Sequence, residues 1–206
     1  MCHLMPRLLL ATSNTHKTQE IAAMLGADWQ VEDLRSHPGL TLPEETGITF
    51  EENAVIKAKG AGAVQPELLV LADDSGLEVD ALKGAPGVYS ARFAGPGATD
   101  KDNREELKSR LRYIAQNPGQ FFEARFHCCL ALVKNKKVLH VAHGTIEGWV
   151  SVIEQGQGGF GYDSMFIPQG YDKSFGVLPA EVKNKLSHRA RAMEALQTWL
   201  KSNPVA

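Results

Sequence analysis

Apolar residues along this chain recur with two different periods, and the switches between them mark the elements. "RLLLAT" (7–12) is a continuous apolar run of strand length, which predicts a short buried strand. In "SNTHKTQEIAAML", Ile21, Met24 and Leu25 fall at helical spacing, with Ser13 or Asn14 available as the N-cap. "TFEENAVIKAKGAGAV" opens on Thr49 and Glu52, a capping-box pair, and places Phe50, Ala54 and Ala61 on one stripe. Pro66 closes that helix, and "LLVLAD" (68–73) predicts the next buried strand, with Asp73 and Asp74 at its end. "ATDKDNREELKSRLRYIAQ" pairs Thr99 with Asp102 and turns Leu107, Leu111 and Ile114 inward, an amphipathic helix. The period drops to two in "FEARFHCCLALV" (122–133), where Ala124, Phe126, Cys128, Leu130 and Leu132 share a face. "NKK" then turns the chain into "VLHVAHGTIEGWV" (138–150), an antiparallel hairpin. "SHRARAMEALQTWLKS" predicts a last helix with Met193, Leu196 and Leu200 inward. Strand–helix units followed by a hairpin predict an α/β fold with a mixed β-sheet and flanking helices.

Composition narrows the function classes. The 206 residues suit one domain, 1–206, with 43% hydrophobic and 22% charged residues. The 22 basic residues against 24 acidic ones give a net charge of −2, so no global field draws nucleic acid. Phosphate recognition must come from local clusters. The three cysteines, Cys2, Cys128 and Cys129, form no C-x-x-C pair, and the last two point to opposite strand faces, poorly placed to bridge. No window approaches the roughly 18 apolar residues of a membrane span, and the N-terminus lacks a signal-peptide pattern. A reduced cytoplasmic protein is the expectation.

Four polar clusters interrupt the pattern. "SNTHK" (13–17) joins a helix N-terminus to Lys17 and suits a phosphate, although taken alone a capped surface helix with a solvated lysine explains it better. It lacks the glycines of a Walker loop. Asp73 and Asp74, with Glu44 and Glu45 in "LPEETG", are either a hard-oxygen site for Mg²⁺ or a turn cap beside a solvated carboxylate. "GQGGFGYD" (156–163) matches G-x-G-x-x-G, but Pro168 and aromatic residues follow where a dinucleotide fold needs a helix. A flexible loop carrying an aromatic ring to a flat ligand fits it better, with a plain glycine turn as the alternative. "EVKNKLSHR" (181–189) crowds Lys183, Lys185, His188 and Arg189 where the last helix begins; such cations oppose the helix dipole unless an anion or carbonyl-rich ligand is near, with a solvated basic face as the alternative.

Together these clusters suit a nucleoside triphosphate, and the sequence resembles the inosine triphosphate pyrophosphatase family, the Ham1/RdgB-like dITP/XTP pyrophosphatases. "TSNTHK", "LPEETGITFEENAVIKA", "ADDSGLEVDALKGAPGVYSARFAG", "GGFGYDSMF" and "KNKLSHRARA" carry the likeness, in order, over nearly the whole chain. Ser164 departs from it, since proline usually follows "FGYD" in that family. The resemblance implies two lobes around a central nucleotide-binding cleft, a homodimer, and Mg²⁺-dependent conversion of ITP, dITP and XTP to monophosphate and pyrophosphate. It implies Asp74 as proton acceptor and metal ligand, with Glu44 as second ligand, one residue from Glu45. Implied substrate contacts are Thr12, Ser13, Asn14, Thr15, His16, Lys17, Lys57, Ser75, Phe160, Gly161, Tyr162, Asp163, Lys183, His188 and Arg189.

The residue types suit that chemistry. Lysines and Mg²⁺ neutralise charge on the phosphates, a carboxylate activates water, and no Ser–His–Asp or Cys–His pattern supplies another nucleophile. Hypoxanthine and xanthine carry the acceptor O6 where adenine carries an amino donor. Donors from His188, Arg189 or backbone would be left unpaired by ATP, at about 1–3 kcal/mol each. Phe160 or Tyr162 would stack on the base. A nicotinamide-dependent oxidoreductase, a non-catalytic nucleotide sensor and a pyrimidine-directed house-cleaning pyrophosphatase remain as rivals. No stable nucleic-acid complex and no membrane association are expected.

Overall fold

A computed structural model describes residues 5–204; Cys2 lies outside the described residues. Six strands form one mixed sheet in the order β2-β1-β3-β4-β5-β6. They are β1 (Arg7–Leu10), β2 (Gln30–Asp33), β3 (Leu69–Val79), β4 (Phe121–Lys134), β5 (Lys137–Ser151) and β6 (Phe166–Pro168). The helices are α1 (Thr15–Leu25), α2 (Phe50–Val64), α3 (Asp100–Ile114), α4 (Ala180–Leu186) and α5 (His188–Ser202). β1 runs parallel to β2 and β3, and β6 pairs antiparallel with β5. Asn135 and Lys136, both at positive φ, make the two-residue turn that joins β4 to β5.

The chain divides into two compact units. The first holds residues up to Asp74, Cys128–Gly144 and Arg189 onward; the second holds Ser75–His127 and Thr145–His188. In the first unit β1, β3 and β4 are buried on both faces. Leu8, Leu10, Leu69, Leu71, Cys128 and Leu130 pack with Ile21 of α1 and Met193 and Leu196 of α5. Their strand neighbours Leu9, Val70, Ala72, Cys129 and Ala131 turn the other way, onto Ala54, Ala58 and Ala61 of α2. Cys128 and Cys129 thus face opposite layers, as strand alternation requires. The second unit has its own core of Leu77, Val79, Leu107, Leu111, Phe126, Tyr162, Phe166 and Phe175.

Two expectations change. β3 does not end at Asp73: it runs through "DDSG" to Val79, because Leu77 and Val79 enter the second core beyond the polar residues. Ile114, expected inward, is 38% exposed in the last turn of α3. Asn14 caps α1, and both capping boxes form, at Thr49–Glu52 and at Thr99–Asp102.

The alanine stripe lets α2 approach the sheet closely, and Ala58 is wholly buried in that seam. Ala58→Leu has no space to fill and is expected to lower stability by about 1–3 kcal/mol in urea denaturation. An unchanged midpoint would show that the seam is loose.

Candidate active site

Consecutive side chains of a strand point to opposite faces. Asp73 therefore enters the layer of α1 and α5, and Asp74 the layer of α2. Asp73 is 3% exposed. Its Oδ1 lies 2.5 Å from Lys17 Nζ, its Oδ2 accepts from Arg189 Nε at 2.8 Å, and Cys128 Sγ donates to Oδ2 at 3.3 Å. Burial alone would raise the Asp73 pKa, but Arg189 and Lys17 outweigh it and hold the carboxyl well below its usual range. Asp74 meets Lys57, whose Nζ lies 2.6 Å from Asp74 Oδ1, 2.8 Å from Glu45 Oε1 and 3.0 Å from the Asp73 carbonyl. Burial pulls the Lys57 pKa down, and Asp74 and Glu45 outweigh it, leaving it raised. For Asp74 burial is the dominant influence and raises the pKa despite Lys57. Its Oδ2 is buried with no hydrogen-bond partner.

The side chains around this strand are placed by short polar brackets. The Asn14 carboxamide accepts from the N–H groups of His16 and Lys17 at 2.9 and 3.2 Å, and Thr12 Oγ1 accepts from Asn14 N–H at 3.1 Å. Two of the N–H groups expected to face a phosphate are thus held by the cap. "LPEETG" is laid along α2 by Asn53, which accepts from Gly47 N–H at 2.8 Å and donates to Gly47 O at 3.3 Å. Pro43 lies so close to Gly60 that an added Cβ would stand 2.3 Å from it. This seating presents Glu45 to Lys57 and leaves Glu44 exposed. Glu45 thus shares Lys57 with Asp74, and Glu44, the ligand implied by family resemblance, is its exposed neighbour.

Arg189 is 1% exposed. Besides Asp73 it reaches Glu20 of α1, with Nη1 donating to Oε2 at 2.5 Å. Burial lowers its pKa, and Asp73 and Glu20 outweigh burial and raise it. Its guanidinium ties α5 to α1 and β3. Glu20 was not legible as a site residue; its only signal is its place on α1, one turn past Lys17.

The second unit contains Ser75, "FGYD", Lys183 and His188. No helix follows the glycine segment, so the dinucleotide reading lacks its structural context; β6 follows instead. Asp163 Oδ2 accepts from Phe160 N–H at 2.8 Å and lies 2.5 Å from Lys183 Nζ. That ammonium stands 4.5 Å from the Phe160 ring centre. Tyr162 is a core residue, 4% exposed, with its hydroxyl donating to Ser90 O at 2.8 Å. Of the two rings expected to stack on a base, Phe160 is the half-buried one. His188 stacks on Phe126 with ring centres 4.8 Å apart.

The Ham1 family profile matches residues 8–199. The chain belongs to the Ham1 family. It is 43% identical over 197 residues to the dITP/XTP pyrophosphatase of Halalkalibacterium halodurans, covering 95% of this chain and all of that one. Identity to the dITP/XTP pyrophosphatase of Desulforamulus reducens is 45% over 189 residues, or 91% of this chain and 92% of the relative. Among solved structures, the HAM1 protein from Coxiella burnetii superposes with a TM-score of 0.83 at 35% identity, covering 96% of this chain and 100% of that one. The Staphylococcus aureus Ham1 protein gives 0.80 at 35%, covering 95% and 98%. The mixed sheet with flanking helices is therefore the Ham1 fold.

Within this Ham1 chain the adjacent aspartates carry different structural burdens. Asp73→Asn strips the charge facing a buried arginine and is expected to destabilise by about 3–5 kcal/mol. Asp74→Asn should cost clearly less, because Lys57 keeps Glu45 and the Asp73 carbonyl. Equal losses in urea denaturation would contradict this division.

Proposed function

We infer that this chain hydrolyses non-canonical purine nucleoside triphosphates, dITP, ITP and XTP, to the monophosphate and pyrophosphate. One observation carries the reading. Two ammonium groups, Lys17 Nζ and Lys57 Nζ, approach a single carbonyl, Asp73 O, at 3.5 and 3.0 Å, beside a carboxylate with an unpartnered buried oxygen. Two cations and an open acceptor are what attack on a polyphosphate requires. The relatives named dITP/XTP pyrophosphatase support the same substrate class.

Water is the nucleophile. Both thiols among the described residues are buried, and burial pushes Cys129 up to about 12 and Cys128 well above its ordinary value. Asp74 receives the proton of the attacking water, and its Oδ2, which accepts no hydrogen bond, is left for the ion. Lys17 and Lys57 turn toward the phosphate oxygens as charge accumulates there, and pyrophosphate leaves. The unpartnered Asp74 oxygen with Glu45 nearby fits a hard divalent ion. These two residues would hold Mg²⁺, which supplies charge neutralisation on the phosphates when bound. Among the described residues no group of three or more acidic, histidine or cysteine side chains forms a cage, in keeping with an ion bound by one or two carboxylates and its substrate. Phe160 and Lys183 receive the keto base, ring to ring and donor to O6. Thr12, Ser13, Thr15, His16 and Ser75 serve as further substrate contacts.

The reading extends to a cytoplasmic homodimer. Free thiols support the compartment, and no helix of the described residues is long and apolar enough to cross a membrane. Phe121, 54% exposed, and Ile153, 61% exposed, supply apolar surface for self-association. Light scattering is expected to give twice the 22.5 kDa chain mass, and a monomer would remove the dimer.

A substrate panel tests the activity. With Mg²⁺, pyrophosphate and not orthophosphate is expected from ITP, dITP and XTP, with ATP far poorer; chelation should stop release. Asp74→Asn should lower kcat by about 10²–10⁴-fold with the fold retained by circular dichroism. Full turnover in that variant would take Asp74 out of the mechanism.

A further inference from the structure

Every backbone polar group of Gly161 is held by one helix. Its N–H donates to Asp100 Oδ2 at 2.7 Å, and its carbonyl accepts from Arg104 Nη1 at 2.9 Å. Arg104 Nε lies 3.0 Å from Glu154 Oε2. The same carboxylate pairs with Lys108 and accepts from Ser164 Oγ at 2.6 Å. Asp100, Arg104 and Lys108 are four residues apart, so they form one stripe of α3. That stripe grips the "FGYD" segment at Gly161 directly and at Ser164 through Glu154, on both sides of Tyr162 and Asp163. Ser164 can make this contact because it has a hydroxyl; the proline expected from the family resemblance has none.

The grip reaches the base-side groups within three residues. Asp163 holds both the Phe160 N–H and the Lys183 ammonium. A shift of Gly161 or Ser164 therefore carries the Phe160 ring and the charge above it. Stability alone does not account for this construction. Lys108 is 7% exposed and Glu154 is partly buried, and apolar side chains of similar volume generally stabilise such a place as well or better. Burial raises the Glu154 pKa, but Lys108, Ser164 and Arg104 outweigh it and keep the carboxyl lowered, so the hub stays charged at neutral pH. Gly161 itself, at φ +60°, has no side chain to be packed, and the hold acts on its backbone.

We propose that the Asp100–Arg104–Lys108 stripe, with Glu154 and Ser164, is a positioning clamp that sets affinity for the purine base without touching the nucleotide. The proposal rests on the functional reading above, in which Phe160 and Lys183 receive the base.

Steady-state kinetics with ITP, together with inhibition by inosine monophosphate and by inorganic tripolyphosphate, test it. Arg104→Met and Asp100→Ala each remove a hydrogen bond to a charged group, and KM for ITP and Ki for inosine monophosphate are expected to rise about tenfold. Inhibition by tripolyphosphate, which has no base, should stay within about twofold. Asp100→Asn keeps an oxygen for the Gly161 N–H and should restore most of the affinity lost in Asp100→Ala; this pair decides the matter even if Arg104→Met fails to fold. Unchanged inosine monophosphate affinity, or equal weakening of both inhibitors, would overturn the clamp. A wild-type chain that releases no pyrophosphate from ITP would instead defeat the functional reading on which the clamp stands.

Discussion

The alternation of side chains along β3 is the constraint from which the catalytic arrangement follows. Two neighbouring carboxylates on one face would repel each other and demand a shared cation. On opposite faces, each meets a different helix layer and a different lysine: Asp73 with Lys17, Asp74 with Lys57. The backbone between them then brings its own carbonyl within reach of both ammonium groups. Adjacent aspartates thus recruit two cations from separate helices to one short length of strand.

Much of this was legible from sequence. The capping boxes, the α2 alanine stripe, the hairpin turn and the opposed cysteines follow from local spacing, and local spacing is what sequence displays directly. Family resemblance supplied the activity class. The end of β3 was misjudged because polar residues inside a strand look like its terminus until the second core beyond Leu77 is known. Partners distant in sequence were hidden as well. Arg189 meets Asp73 across 116 positions and Glu20 across 169, and no periodicity reports such pairings. That Glu45 rather than Glu44 meets Lys57 follows from the seating of Pro43 against Gly60, a contact that residue identities alone do not reveal.

Three loops in this fold are held by side-chain brackets on their backbone. Asn53 takes both polar groups of Gly47, Asn103 takes Ala94 N–H and Ala91 O, and Asp100 with Arg104 takes both groups of Gly161. Each bracket springs from the first two turns of a helix that begins with a capping box. A helix start fixed in this way is a firm base, and each bracket satisfies two loop backbone groups from it.

The Glu20–Arg189–Asp73 chain has a further consequence. Rearranging α1 against α5 would strand a buried guanidinium, a penalty several times larger than thermal energy. The helices α1 and α5 are therefore locked to β3, while the long stems of Lys17 and Lys57 keep rotatable bonds of their own. The fixed part of that unit is thus its buried arginine bridge, and its adjustable part is the pair of lysine side chains held by Asp73 and Asp74.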